Sequence, residues 1–164
     1  MKNIIVTILF ALLLMVPVCS RAQGDVLADV LEKCLQREMN SPDSIEQNLE
    51  LLDSLRKGKS GTERAVYTAV LAQLYAMRAH DEVTGYWSRQ SLALFREALS
   101  EPELLYTART KDWVPMVKRG KDEKVYGRNM LYVVWRAANA WAPDSVMSEQ
   151  ELIDFYARHG NRKP

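Results

Sequence analysis

The sequence predicts an all-α protein built from stacked antiparallel helical hairpins, and three observations carry this prediction. Apolar residues recur every three or four positions over most of the chain. Ser, Thr, Pro and Gly stand where such helices would begin or end. The best candidate for strand-like alternation, over 130–135, runs into a stretch of alanines that favours helix. The expected architecture is tetratricopeptide-like hairpin packing or an irregular helical bundle.

The first 22 residues have the pattern of a cleaved signal peptide. Lys2 provides a basic start, and 4–18 form an apolar core that is shorter than the roughly twenty residues of a membrane span. Small residues at Ser20 and Ala22 suit a signal peptidase, so we expect cleavage after Ala22 and export to a bacterial periplasm or cell surface. An uncleaved anchor and a lipid on Cys19 remain alternatives.

Removal of residues 1–22 leaves a single helical domain over 23–164. The full chain has 22 basic and 21 acidic residues; without Lys2 and Arg21 the net charge becomes −1. This charge disfavours nucleic acid as a partner. Cys34 is then the only thiol, which excludes an intrachain disulfide. About 140 residues can bury an adequate core without one.

The first half of the domain predicts three helices. The first carries its apolar stripe from Val26 and ends near Asn40. Ser41 can cap the second helix, with Pro42 at its first position, where no N–H is needed. A basic, flexible turn over 58–61 follows, and Thr62 can cap the third helix, which has the strongest periodicity in the chain.

The second half predicts shorter helices. They span 87–99, 102–106 after Pro102, 112–117, and 126–140, the last of these broken by Pro143. The final helix has the clearest start, because Ser148 and Glu151 have the spacing of a capping box. Gly160 would close it in a left-handed conformation.

Catalytic patterns are weak. His80 and Asp81 are adjacent, but neighbouring side chains point apart on most backbones, so the pair makes a poor general base. His159 lies at a helix end, where a cation is favoured. Cys34 falls on an apolar helix face, where a thiol is buried and inert. We therefore expect no catalytic residue, cofactor or metal; a small hydrolase or redox protein using His80, Asp81 or Cys34 is the alternative.

The tryptophans of the second half are the candidate interaction residues. Exposed aromatic clusters mark binding faces, although large rings also fill the gaps between short helices. Trp141, at a helix end, is expected to be the most exposed. If exposed, these rings could also stack on a peptide or a glycan. The candidates are Trp87, Trp113, Trp135 and Trp141.

The stretch 98–131 resembles the N-terminal helical region of large alpha-2-macroglobulin-like proteins of Bacteroidetes. The resemblance is carried by Ala98-Leu99, Pro102-Glu103-Leu104-Leu105, Asp112-Trp113-Val114-Pro115-Met116-Val117, Gly120-Lys121-Asp122, Tyr126 and Leu131, with Leu152-Ile153-Asp154-Phe155-Tyr156 and Gly160-Asn161-Arg162 fitting the helix that follows.

The resemblance implies a helical region that in the family precedes β-sandwich domains and, in many members, a protease-trapping thioester. Cys34-Leu35-Gln36 lacks the thioester spacing, and Asn129 replaces an acidic residue. Protease trapping is therefore not carried over, and the chain would be a truncated relative. We expect a non-enzymatic, exported helical module that binds a protein partner without stable membrane insertion.

Overall fold

The computed structural model describes residues 23–41, 44–79, 84–113 and 129–159, and it confirms the all-α prediction. Within these ranges no helix has the length and apolar character needed to cross a bilayer. The helices are α1 (Gln23–Asn40), α2 (Ile45–Lys57), α3 (Gly61–Arg78), α4 (Tyr86–Ala98), α5 (Pro102–Thr107), a 3₁₀ helix (Thr110–Trp113), α6 (Met130–Trp141) and α7 (Glu149–Arg158).

Helices α3 and α4 form the central antiparallel hairpin. The start of α3 meets the end of α4, where Arg64 and Glu97 form an ion pair at 3.0 Å. In the middle, the buried Ser91 hydroxyl donates to the carbonyl of Ala72 at 2.9 Å. Serine in a helix interior usually competes with its own backbone, and here the partner helix satisfies its hydroxyl instead.

The apolar stripes of the helices converge on one core. Phe95 of α4, Leu105 of α5 and Leu131 of α6 are fully buried in it. Leu152 of α7 and Leu27 of α1 complete it from the two ends of the described chain. Because single helices cannot cover their own apolar stripes, this shared core is what holds the hairpins together.

The helix starts differ from the sequence prediction at two positions. Helix α3 begins at Gly61, one residue before the expected cap, and the Thr62 hydroxyl instead donates to the carbonyl of Leu104 in α5 at 3.1 Å. Thr62 as a cap was therefore wrong, because Thr62 lies within the first turn of the helix and Ser60 occupies the N-cap position. Helix α2 begins at Ile45 with Ser44 at its N-cap, so Ser41 as the cap of this helix was also wrong; the Ser44 hydroxyl donates to the carbonyl of Ser41 at 2.7 Å.

The capping box of the last helix is confirmed. The Glu151 N–H donates to the Ser148 hydroxyl at 3.3 Å, and the Ser148 N–H donates to the Glu151 carboxylate at 2.7 Å. The hydrogen bonds that the Ser148 N–H and hydroxyl donate to the Glu151 carboxylate lower the pKa of Glu151. Several predictions concern residues outside the described ranges. They are the predicted cleavage site, Pro42, most of the 112–117 helix, the first turn of the 126–140 helix and Gly160.

Candidate interaction surfaces

The structure separates the four candidate tryptophans into two pairs. Trp113 and Trp135 are buried, at 1% and 7% exposure, so they fill the core and form no surface. The Trp135 indole N–H donates to the carbonyl of Met147 at 2.9 Å. Trp87 and Trp141 are each partly exposed and lie in different places. The four residues therefore make no joint site, because the short helices use two of the rings to fill gaps between them.

Trp141 lines a groove of about 470 Å³ between the second half of α3 and helix α6. Met77, which is 64% exposed, stands on the α3 side. Among the described residues that line it, three are alanines, which makes the groove shallow. These described lining residues are Gln73, Ala76 and Met77 from α3 and Val133, Arg136, Ala137, Ala140 and Trp141 from α6.

Helix α6 has apolar residues on two faces, and this explains the groove. Leu131, Val134 and Ala138 form a buried stripe that packs into the core. Val133, Ala137 and Ala140 form a second stripe at helical spacing, and this stripe lines the groove. A helix that is apolar nearly all round is normally covered on both faces. The second stripe of α6 is only partly covered, since Ala140 is exposed and Val133 and Ala137 are half-buried.

Trp87 belongs to a separate aromatic cluster where the end of α3 meets the start of α4. Its ring centroid is 5.5 Å from Tyr75 and 5.9 Å from Tyr86, the latter nearly edge-on at 80°. Tyr86 is 48% exposed. Burial, reinforced by the nearby Tyr86, raises the pKa of Tyr75, so its hydroxyl stays a neutral donor. The cluster presents ring surface together with phenolic hydroxyl groups.

Cys34 is buried in the structure, as its place on an apolar stripe predicted. Burial raises the pKa of its thiol, with Glu38 adding to the effect and Arg37 opposing it. A protonated, covered thiol is a poor nucleophile. His159 stacks on Phe155 with ring centroids 4.1 Å apart. His80 and Asp81, the other candidate pair, lie outside the described residues.

A polar cluster connects the C-terminal ends of α1 and α3 to the start of α2, and the sequence did not predict it. The buried Asn48 amide donates to the carbonyl of Cys34 and to the Glu38 carboxylate, both at 3.0 Å. Glu38 also pairs with Arg78 at 2.6 Å, and Arg37 donates to Asn48 at 3.2 Å. Burial alone raises the pKa of Glu38, but the hydrogen bonds from Arg78 and Asn48 outweigh it and lower that pKa.

This cluster has the features of a structural contact that holds the three helices together. Its donors and acceptors are matched to one another, apart from the buried Arg78 Nε, which has no hydrogen-bond partner. The available signal was Asn48 itself, a polar residue three positions after Ile45 within the apolar stripe of α2. Across the four described ranges, no group of three or more His, Cys, Asp or Glu side chains is placed to hold a metal ion.

Comparisons with family models, with curated proteins and with solved structures find no match to this chain.

Proposed function

We propose that this chain is a non-enzymatic, exported helical module that binds another protein in the groove between α3 and α6. The second apolar stripe of α6 is the single observation that carries the proposal. Val133, Ala137 and Ala140 continue the apolar surface of α6 beyond the core, into a groove that remains open. Burial of apolar area is the main favourable term in protein association, so a partner that fills this groove is stabilised there.

The rim residues favour binding over mere packing. Trp141 supplies a large, rigid ring of the type enriched among residues that dominate binding energies. Met77 supplies a flexible, polarisable side chain that adapts to different partner shapes. The buried, protonated thiol of Cys34 supports a non-enzymatic role, because it removes the one candidate nucleophile that the structure describes.

Site-specific photo-crosslinking tests this proposal. A photoreactive amino acid at position 140 would line the groove, whereas the same residue at position 93, an exposed alanine of α4, serves as the matched control. We expect a discrete crosslinked band in living cells from position 140 alone, and its loss when Met77→Asp is added. Equal crosslinking from both positions, or none from either, would contradict groove binding.

Export and ancestry are part of the same proposal. N-terminal sequencing of the protein recovered from a periplasmic fraction should begin at Gln23, and an intact Met1 would reject the cleavage. The resemblance over 98–131 to the alpha-2-macroglobulin-like helical region would gain support if the downstream coding sequence continued into β-sandwich domains. A downstream region without any β-sandwich coding sequence, intact or interrupted by stop codons, would count against it.

A second candidate function rests on the aromatic cluster. Tyr75, Trp87 and Tyr86 combine ring surface with hydroxyl groups, which suits stacking on a sugar or a peptide. Titration with a panel of oligosaccharides and peptides should then change tryptophan fluorescence, and Tyr86→Ala should abolish the change. Tyr132→Ala, which alters the ring stacked on Trp135, is the control. A flat response across the panel would reject this function.

A further inference from the structure

We propose that the end of α1, over 32–40, is an arm that detaches from α2 and α3 while the rest of the protein stays folded. Detachment uncovers the thiol of Cys34, so the arm controls access to it. This inference goes beyond the groove between α3 and α6 and does not depend on it. It follows from where α1 buries its apolar side chains, from the polar contacts that hold the arm, and from the position of Cys34 within it.

Helix α1 buries its apolar side chains mainly before the arm. Leu27 is fully buried in the core, and Val30 and Leu31 are partly buried against it. Within the arm, Cys34 is buried, Glu38 is half-buried and the other side chains are exposed. Segments with few buried apolar contacts open at a lower free energy than the core, because little apolar burial is lost on opening. The arm therefore opens at a lower free energy than the hairpin of α3 and α4.

Polar contacts hold the arm against its two neighbouring helices. Glu38 accepts from Asn48 of α2 at 3.0 Å and pairs with Arg78 of α3 at 2.6 Å. Asn48 also donates to the carbonyl of Cys34 at 3.0 Å and accepts from Arg37 at 3.2 Å. Every one of these contacts joins the arm to another helix, so all of them break when the arm moves away. Because they converge on Asn48 and Glu38, the loss of one weakens the others and the arm detaches as a unit.

Cys34 reports directly on the position of the arm. Its residue is 6% exposed, and its own backbone carbonyl takes part in the contacts that hold the arm. A buried, protonated thiol reacts slowly with disulfide reagents, whereas an exposed thiol reacts through its thiolate. The reaction rate of Cys34 therefore measures how often the arm is open. The sequence contains one other cysteine, Cys19, so Cys19→Ser leaves Cys34 as the sole thiol whether or not the N-terminal residues are removed.

Thiol labelling of the Cys19→Ser protein at increasing urea concentration tests the inference. The reagent is a chromogenic aromatic disulfide, and each rate is divided by the rate of the same protein fully unfolded in urea. Below the unfolding transition, the labelling rate should hardly change with urea, because opening of the arm exposes little surface. It should also be about tenfold or more above the rate that global unfolding alone would give.

Substitutions in the polar contacts should change this labelling rate at low urea. Glu38→Gln should increase it about fivefold, because the charged hydrogen-bond acceptor is lost. Arg78→Gln should have a similar effect, and the double variant should label no faster than the faster single variant, because the two residues act as one pair. Glu46→Gln, at an exposed position of α2, is the matched control and should leave the rate unchanged.

Three results would overturn the inference. Labelling that follows the urea dependence of global unfolding at every concentration would show that Cys34 is uncovered only when the whole protein unfolds. Equal rates for Glu38→Gln and Glu46→Gln would show that the polar contacts do not hold the arm. Additive effects of Glu38→Gln and Arg78→Gln would show that the two residues do not act together. Circular dichroism checks that each variant is folded, and the urea series of the Cys19→Ser protein decides the first point without any further variant.

Discussion

The α3–α4 hairpin and helix α1 are attached to the protein by different kinds of contact. The hairpin is joined through fully buried side chains such as Phe95 and Leu71. Helix α1 buries Leu27 near its start, but its second half is held by the polar cluster around Glu38. Two apolar side chains of this second half, Leu35 and Met39, are 61% and 76% exposed.

This difference shows which contacts stabilise the fold and which contacts fix the position of a helix. Apolar burial is non-directional and contributes in proportion to area, so the hairpin is the stable part of the fold. Hydrogen bonds contribute less net free energy but demand defined geometry, so the polar cluster sets how α1 lies against α2 and α3.

The largest expected effect is in the hairpin. Phe95→Ala removes a fully buried ring and leaves a cavity, so the free energy of unfolding should fall by about 3–5 kcal/mol. Urea denaturation of the purified protein measures it. Leu51→Ala, on the exposed side of α2, is the control and should change little. Equal losses from the two variants would show that the hairpin is not the stable part.

The next effect concerns the start of α1. Gly24 packs against the 3₁₀ helix, and a Cβ added to it would lie 2.5 Å from the Cα of Trp113. One of the two backbone segments would have to shift to remove this steric clash. Gly24→Ala should therefore cost about 1–3 kcal/mol despite alanine's higher helix propensity. At Gly58 an added Cβ would lie 3.5 Å from its nearest neighbour, the carbonyl oxygen of Leu55, and the φ angle of −79° suits any residue. Gly58→Ala should therefore raise the free energy of unfolding by about 0.4–1 kcal/mol. Thermal unfolding distinguishes them, and stabilisation by both would contradict the close packing.

A smaller, pH-dependent effect comes from the polar cluster. Because the pKa of Glu38 is lower in the folded state than the reference value of 4.5, its carboxylate stabilises the fold above that value. This contribution is lost as the pH falls through the folded pKa. Glu38→Gln should cost about 1 kcal/mol at pH 7, and the difference from wild type should shrink towards pH 3.

Denaturant midpoints across this pH range measure the effect of Glu38→Gln. Glu46→Gln, on an exposed position of α2, is the matched control. A wild-type–variant difference that stayed constant down to pH 3 would show that Glu38 does not titrate in this role.

The smallest effect is expected at the exposed end of α1. Met39→Ser should alter the free energy of unfolding by less than about 0.5 kcal/mol, because its side chain is mostly in solvent already. Equilibrium denaturation is again the measurement. A loss well above 1 kcal/mol would mean that this end of α1 is covered in solution, and the contrast between the two regions would then weaken.

Local sequence patterns were sufficient to predict most of the helices in the described ranges. The expected 87–99 helix is Tyr86–Ala98, and the Ser148–Glu151 capping box is present. Both features depend on apolar periodicity and on hydrogen bonds between residues a few positions apart. A short stretch of sequence contains all of this information. Thr62 was misjudged because the helix begins one residue earlier, at Gly61, and the Thr62 hydroxyl donates to Leu104, an acceptor distant in sequence.

The sequence by itself determined the all-α class, most helix bounds and the burial of Cys34 on an apolar stripe. Only the tertiary structure decided that Trp113 and Trp135 are buried while Trp87 and Trp141 are partly exposed. It also decided that the second stripe of α6 lines an open groove. Helix formation depends on neighbours along the chain, whereas the burial of a side chain depends on which other helices pack over it.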